Sequence, residues 1–85
     1  GAAEALSCNH CLSSDSMDDC NEQQKQKRCP ANQDRCSTLT VYHEGPNTFL
    51  KDCIPERLCS TYCKGGVNSD GYECELSCCE GNLCN

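Results

Sequence analysis

Cysteine is the residue most able to carry chemistry in this sequence, since it occupies twelve of the 85 positions. Cys8 and Cys11 form a Cys-x-x-Cys pair with His10 between them, a spacing shared by zinc sites and redox-active thiol pairs. Because a dense, even set of cysteines in a short chain is typical of a disulfide framework, we expect disulfides here and no bound metal or cofactor.

The segment GVNSDGYECELS has part of the pattern of a calcium-binding loop. Asn68, Asp70 and Gly71 would stand at positions three, five and six of that twelve-residue pattern. Positions one and twelve would then be Gly66 and Ser77, which have no carboxylate. We therefore interpret the segment as a tight turn.

Catalytic residue patterns are weak in this sequence. The only histidines are His10 and His43, and neither lies in a nucleophile-elbow or paired-carboxylate context. We expect no enzymatic activity.

The amino-acid composition indicates the compartment in which such a chain is stable. Only 36% of the residues are hydrophobic, and Phe49 is the single phenylalanine. A chain of this length buries little apolar surface, so disulfides must replace much of the core. Disulfides persist in oxidising compartments, so we expect an extracellular protein, either secreted or attached to the outer cell surface.

The net charge of -6 narrows the class of partner. An acidic chain is repelled by nucleic acid and by anionic lipid, which excludes both as preferred partners. Acidic, polar loop tips are also costly to insert into a bilayer, so we expect no direct insertion. A basic surface on another protein is the better match.

Strand signals outnumber helix signals along the chain. The alternating run CSTLTVYH, the turn EGPN and the run TFLKDC predict a β-hairpin over residues 36–53. A second hairpin is predicted between Cys59 and Cys78, with a less clear outgoing strand. The first loop has a short strand at residues 6–9, a polar tip and a return at 23–29, although residues 22–28 also fit a turn or two of helix. Three loops would thus leave one cysteine-rich end.

The cysteine order places the chain beside a known family. The order begins with Cys-x2-Cys, continues with single cysteines at 20, 29, 36, 53 and 59, and ends with CCEGNLCN. This order of cysteines resembles that of the lymphocyte-antigen-6/urokinase-receptor (LU) domain family. The resemblance runs from Leu6 to Asn85. It implies a small disulfide-rich all-β three-finger fold with about five short antiparallel strands and six disulfides. Residues 6–85 would form a single LU domain, and residues 1–5 an N-terminal extension, of which residues 1–3 are interpreted as vector-derived.

The resemblance also selects a disulfide pairing, which spacing alone leaves open among about ten thousand combinations. The two cysteines that the family pattern does not use, Cys63 and Cys74, lie on the two legs of the third finger, and we pair them as an additional rung. The resemblance itself implies the other five pairs: Cys8 with Cys36, Cys11 with Cys20, Cys29 with Cys53, Cys59 with Cys78, and Cys79 with Cys84.

The end of the chain has an expected structural role. Adjacent residues of a strand point to opposite sides, so Cys78 and Cys79 can fasten two different elements. In LU domains the residue that matches Asn85 forms hydrogen bonds into the base of the fingers, and the side-chain amide suits that role.

Two sets of residues are candidates for partner contact. The central finger often carries such contacts in three-finger proteins, and aromatic side chains on a rigid hairpin make good anchors; its candidates are Tyr42, His43, Glu44, Asn47 and Phe49. Tyr42 and Phe49 could equally pack on neighbouring strands. The acidic first finger could steer a basic partner, although a solvated loop is the preferred interpretation; its candidates are Asp15, Asp18 and Asp19.

The resemblance favours a non-enzymatic module that presents rigid loops to an extracellular protein or receptor. Such a module would be attached to the cell surface by a lipid anchor, with its signal beyond Asn85, or be a domain of a larger secreted protein. The alternative is a freely secreted effector that resembles pheromone-like proteins, phospholipase inhibitors or three-finger toxins that modulate receptors. The acidic turn of the central finger disfavours the neurotoxin route, because those toxins typically have cationic tips.

Overall fold

The computed structural model describes residues 5–85 and confirms the predicted fold class. Five antiparallel strands form one sheet in the order β2-β1-β4-β3-β5, and two short helices connect them. The elements are β1 (Ser7–Ser13), α1 (Met17–Gln23), β2 (Lys25–Arg28), β3 (Arg35–Val41), β4 (Thr48–Ile54), α2 (Glu56–Thr61) and β5 (Cys74–Cys79).

The central finger is the predicted hairpin. β3 and β4 pair along their full length, from Arg35 opposite Ile54 to Val41 opposite Thr48. The turn between them is braced by Asn47, whose side-chain oxygen accepts the backbone N–H of His43 at 3.1 Å. The alternation and turn residues of this segment therefore agree with its structure.

The first finger contains a helix at a different place from the one its sequence suggested. β1 is longer than predicted, α1 occupies the tip, and β2 replaces the helix considered for residues 22–28. α1 begins after Ser16, whose hydroxyl accepts the backbone N–H of Asp19 at 2.9 Å. This N-cap and the acidic first turn favour a helix start at Met17.

The third finger lacks the predicted outgoing strand. Its outgoing leg is α2 followed by a 3₁₀ turn at Lys64–Gly66, and one bridge, Val67 to Glu73, joins its legs near the tip. The returning strand β5 pairs with β3 instead. The prediction of a second two-stranded hairpin is therefore wrong for its first half and right for β5.

Disulfide sulfurs occupy much of the core. Cys8, Cys29, Cys36 and Cys53 are all buried and form one cluster at the base of the fingers. A second cluster on the sheet consists of Leu39, Val41 and Cys74. The small apolar content is therefore compensated by crosslinks, as expected for a chain of this size.

All twelve cysteines are paired in six disulfides, with Cα–Cα separations from 5.2 to 6.0 Å. These separations lie in the normal range for disulfides. Five of the pairs in the structure are those that the resemblance implies, Cys8–Cys36, Cys11–Cys20, Cys29–Cys53, Cys59–Cys78 and Cys79–Cys84. The sixth, Cys63–Cys74, is the additional rung across the third finger.

Candidate functional site

Exposed aromatic and apolar side chains lie at the tips of fingers two and three. Tyr42 is 38% exposed, Tyr72 41% and Val67 43%. The ring of His43 lies edge-on to that of Tyr72, with a centroid distance of 4.6 Å. We call these four residues, Tyr42, His43, Val67 and Tyr72, the fingertip patch.

His43 links the two fingers. Its Nε2 lies 3.1 Å from the hydroxyl of Thr48 in the same finger, and its ring contacts Tyr72 in the other. The side chain is half-buried. His43 therefore connects the two fingertips and presents only part of its ring to solvent.

Tyr42 has a polar partner across the sheet. Its hydroxyl donates a hydrogen bond to Glu75 at 3.1 Å. This bond, followed by partial desolvation and by the charges of Glu75 and Glu73, raises the pKa of Tyr42 above its usual value. Tyr42 therefore remains a neutral phenol at physiological pH, with an exposed ring and an anchored hydroxyl.

The surroundings of the patch are acidic. Glu44, Asp70, Glu73 and Glu75 are all exposed near the tips of fingers two and three, and Glu73 and Glu75 both act on Tyr42. A cationic side chain beside an aromatic ring and carboxylates gains from both contacts. The patch can therefore provide apolar anchoring with a preference for positive charge.

Two of the five candidates in the central finger have roles within the fold. The amide of Asn47 closes the turn through His43. Phe49 is half-buried and lies opposite Thr40 and Ser13 in the sheet. Tyr42, His43 and Glu44 remain as surface candidates.

The acidic candidates of the first finger divide in the same way. One carboxylate oxygen of Asp19 accepts hydrogen bonds from Ser13 and Gln23, both at 2.6 Å. Asp18 lies in the first turn of α1, where it complements the helix dipole. Asp15 and Asp18 are exposed, whereas the carboxylate of Asp19 is held by hydrogen bonds within the first finger.

Asn85 fastens the C-terminal segment to the base of the fingers. Its side-chain oxygen accepts the N–H of Asn9 at 2.9 Å. Its amide nitrogen donates to the carbonyls of Asn9 and Ser37, at 3.0 and 2.8 Å. Cys78 and Cys79 form disulfides with Cys59 and with Cys84 respectively.

The sulfur atoms of Cys8, Cys29 and Cys53 lie within 4.8 Å of one another. They are buried and belong to disulfides, and disulfide sulfur is not the thiolate that binds metal. His10 is 3.8 Å from Asp52 and is not part of this cluster. The proximity of the sulfurs is therefore a consequence of two neighbouring crosslinks.

Tyr72 and Glu75 are not among the partner candidates predicted from the sequence. Both depend on the pairing of β5 with β3, which places Glu75 opposite Thr40. The signal that could have found them is the acidic and aromatic run after Gly71, once β5 is placed beside the central finger.

A family model described as the u-PAR/Ly-6 domain matches residues 4–85. The chain belongs to the u-PAR/Ly-6 (LU) domain family. It is 34% identical over 70 residues to the Ly6/PLAUR domain-containing protein 6 of Rattus norvegicus, an alignment that covers 79% of this chain and 40% of the relative. It is 33% identical over 86 aligned positions to the Ly6/PLAUR domain-containing protein 6B of Mus musculus, which covers 95% of this chain and 48% of the relative.

The LU chain thus spans less than half the length of these relatives. No solved structure matches it significantly. The LU family consists of extracellular or cell-surface modules that generally mediate protein interactions and are generally not enzymes. Among residues 5–85, neither helix has the length and hydropathy needed to cross a membrane.

Proposed function

We propose that residues 6–85 form one LU domain that recognises an extracellular protein through the fingertip patch, without enzymatic activity. The observation that carries the proposal is the exposure of three large side chains, Tyr42, Val67 and Tyr72, on loops that disulfides fix at their base. Isolated exposed apolar residues are common, so the proposal depends on three of them lying at two adjacent fingertips, which the contact between His43 and Tyr72 joins.

The mechanism is presentation by a preformed surface. Cys63–Cys74 braces the third finger, and the contact between His43 and Tyr72 joins it to the second. Little backbone freedom is then lost on docking, and tyrosine side chains themselves have few torsions to order. Binding energy therefore goes into contact with the partner rather than into ordering the loops.

The charge of the patch specifies the partner surface. Glu44, Asp70, Glu73 and Glu75 are exposed in fingers two and three, Glu73 and Glu75 both act on Tyr42, and the whole chain carries -6. A basic protein surface would be steered toward the fingertips, and salt would slow the encounter. We also propose that the domain is presented outside the cell either by a lipid anchor or as one domain of a longer extracellular protein.

The test is capture of cell-surface proteins by the biotinylated domain, with chemical crosslinking and identification by mass spectrometry. We expect the wild-type domain to capture one specific protein. When Tyr42→Ala and Tyr72→Ala are combined, that protein should no longer be captured, or its affinity for the domain should fall at least about tenfold. Leu83→Ala is the matched control, because Leu83 is equally exposed at 38% but lies outside the patch.

Each variant must first show six disulfides by mass and an unchanged unfolding midpoint. Undiminished capture by the double variant would refute the fingertip proposal. So would loss of capture on charge reversal of Asp15 and Asp18 alone, which would assign recognition to the first finger.

A further inference from the structure

A row of leucines crosses the sheet on one face. Leu12 on β1 lies opposite Leu50 on β4, Leu50 lies opposite Leu39 on β3, and Leu39 lies opposite Leu76 on β5. Residues directly opposite one another in antiparallel strands share a face of the sheet. The row is open at one end, since Leu12 is 61% exposed while Leu39 is only 8% exposed.

A groove with a volume of about 220 Å³ lies between this row and α2. Leu58 of α2 and Tyr62, which follows it, line the groove together with leucines of the row. The disulfide Cys59–Cys78 ties α2 to β5 beside the groove. We call it the leucine groove; its lining includes Leu39, Leu50, Asp52, Leu58, Tyr62 and Leu76.

The size of the leucine groove limits what it can receive. Sites for small organic ligands usually enclose about 300–1,000 Å³, so this groove is small for them. It is of the order of one large apolar side chain. A preformed pocket that takes one side chain is the usual setting for an interface anchor.

The groove has one charged residue in its lining, Asp52. Its Oδ1 accepts hydrogen bonds from Lys27 at 2.9 Å and from the backbone N–H of Cys53 at 2.7 Å. Its Oδ2 is 3.8 Å from His10 Nε2, which is too long for a hydrogen bond. The side chain is 26% exposed, and among residues 5–85 its hydrogen bonds are both made by Oδ1.

We propose that the leucine groove docks a segment of a partner protein in which a large apolar residue stands next to a lysine or arginine. The apolar residue fills the groove and extends over Leu12, and the cation bonds Oδ2 of Asp52. The net charge of -6 favours such a basic segment and opposes a second copy of this chain as the occupant. The proposal rests on the proposed protein-binding function but uses none of the fingertip residues.

The test is selection of a displayed library of random twelve-residue peptides on the immobilised domain. We expect enrichment of sequences with leucine or an aromatic residue beside lysine or arginine. One selected peptide, made synthetically with a fluorescent label, is then titrated against variants. Leu12→Ser and Tyr62→Ala should each weaken its binding at least about fivefold, and Asp52→Asn should remove the preference for the cation.

Val67→Ser is the matched control, since Val67 is exposed but belongs to the fingertip patch. It should leave peptide affinity unchanged, as should the combined Tyr42 and Tyr72 variant. This arrangement separates the two proposals, because either surface can fail while the other holds.

Several results would overturn the groove proposal. They are no enriched sequence, enriched sequences without a cation, or a selected peptide that responds to Tyr42 and Tyr72 instead of Leu12 and Tyr62. A dimer in sedimentation experiments that dissociates on Leu12→Ser would also overturn it, because the groove would then be covered by a second copy. Unchanged thermal unfolding of Leu12→Ser ensures that lost binding does not reflect lost folding.

Discussion

Replacement of Asn85 by alanine tests how firmly the C-terminal segment locks the base of the fingers. The substitution removes three hydrogen bonds: one accepted from Asn9, and two donated to Asn9 and Ser37. These bonds connect residues 48 and 76 positions apart in sequence. They therefore hold β1 and β3 to the C-terminal loop in addition to the disulfides.

The magnitude follows from the number of bonds lost. An intramolecular hydrogen bond contributes a net 0.5–1.5 kcal/mol, and more when its loss leaves a buried partner without water. Asn85 is half-buried, so we expect Asn85→Ala to lower the free energy of unfolding by about 2–3 kcal/mol. Asn82→Ala is the matched control, since Asn82 accepts a single exposed bond from Ser7 and should lose about 0.5 kcal/mol.

The assay is urea unfolding of the oxidised protein, followed by circular dichroism. With a denaturant slope of about 1–1.5 kcal/mol per molar, the midpoint of Asn85→Ala should fall by about 2 M urea. Asn85→Asp keeps an acceptor for Asn9 but places a carboxylate against two carbonyl oxygens. It should therefore be at least as unstable at neutral pH.

Equal midpoints for the Asn85 and Asn82 alanine variants would refute this reasoning. So would an Asn85→Asp variant as stable as the wild type, since the donor half of the amide would then have no role.

Three further outcomes are expected. Replacing Cys63 and Cys74 together by serine should keep the fold but increase hydrogen exchange over residues 60–73, because the bond closes only an 11-residue separation and should contribute about 3 kcal/mol in the chain-entropy model. Ser16→Ala should lower unfolding free energy by about 1 kcal/mol in urea titrations, through loss of the cap on α1. Glu75→Ala should lower the pKa of Tyr42 toward the ordinary tyrosine value in an NMR titration, because the first cause of its elevation is the bond to Glu75. A pKa raised by folding means that this stabilisation is present at neutral pH and is lost as pH rises through the alkaline range.

Matched controls accompany these variants. Loss of Cys29 and Cys53 should prevent folding, since both sulfurs lie in the buried basal cluster; equal unfolding of both double variants would contradict the division between added and foundational bonds. Ser14→Ala should leave stability unchanged. Glu73→Ala should lower the pKa of Tyr42 less than Glu75→Ala does. The reverse order would contradict the assignment of the hydrogen bond to Glu75 as the first cause of the raised pKa.

The central finger could be predicted because its sequence signals lie within one short segment. The fold class could be predicted because it follows from the number and order of the cysteines. Residues 36–53 contain alternation, β-branched residues and a turn in one continuous segment, and that segment folds as the β3–β4 hairpin. The cysteine order and the CCEGNLCN ending identify the family without knowledge of any contact.

The helices could not be placed with the same certainty. α2 has six residues and no side-chain cap, too short for a 3.6-residue period to be recognised. α1 buries only Cys20, so its apolar face is a single side chain. Its N-cap at Ser16 is visible in the sequence but is weak evidence without a following apolar stripe.

The fingertip patch and the leucine groove could not be predicted, because both depend on the pairing of strands that are distant in sequence. Tyr42 and Glu44 could be selected from the turn of one hairpin, but Tyr72 joins them only through its contact with His43, 29 positions earlier in sequence. The leucine groove requires the register of four strands at once. A one-residue slip in any pair would move its leucine to the other face, so the row cannot be seen before the sheet is known.

The most direct test of the account is disulfide mapping of the unreduced protein by mass spectrometry, with fragmentation that separates Cys78 from Cys79. The account predicts that Cys78 is linked to Cys59 and Cys79 to Cys84, with Cys63 linked to Cys74 and no free thiol. A free thiol, or Cys84 linked to Cys78, would contradict it, because the crosslinks that hold the third finger and the C-terminal loop would then lie elsewhere.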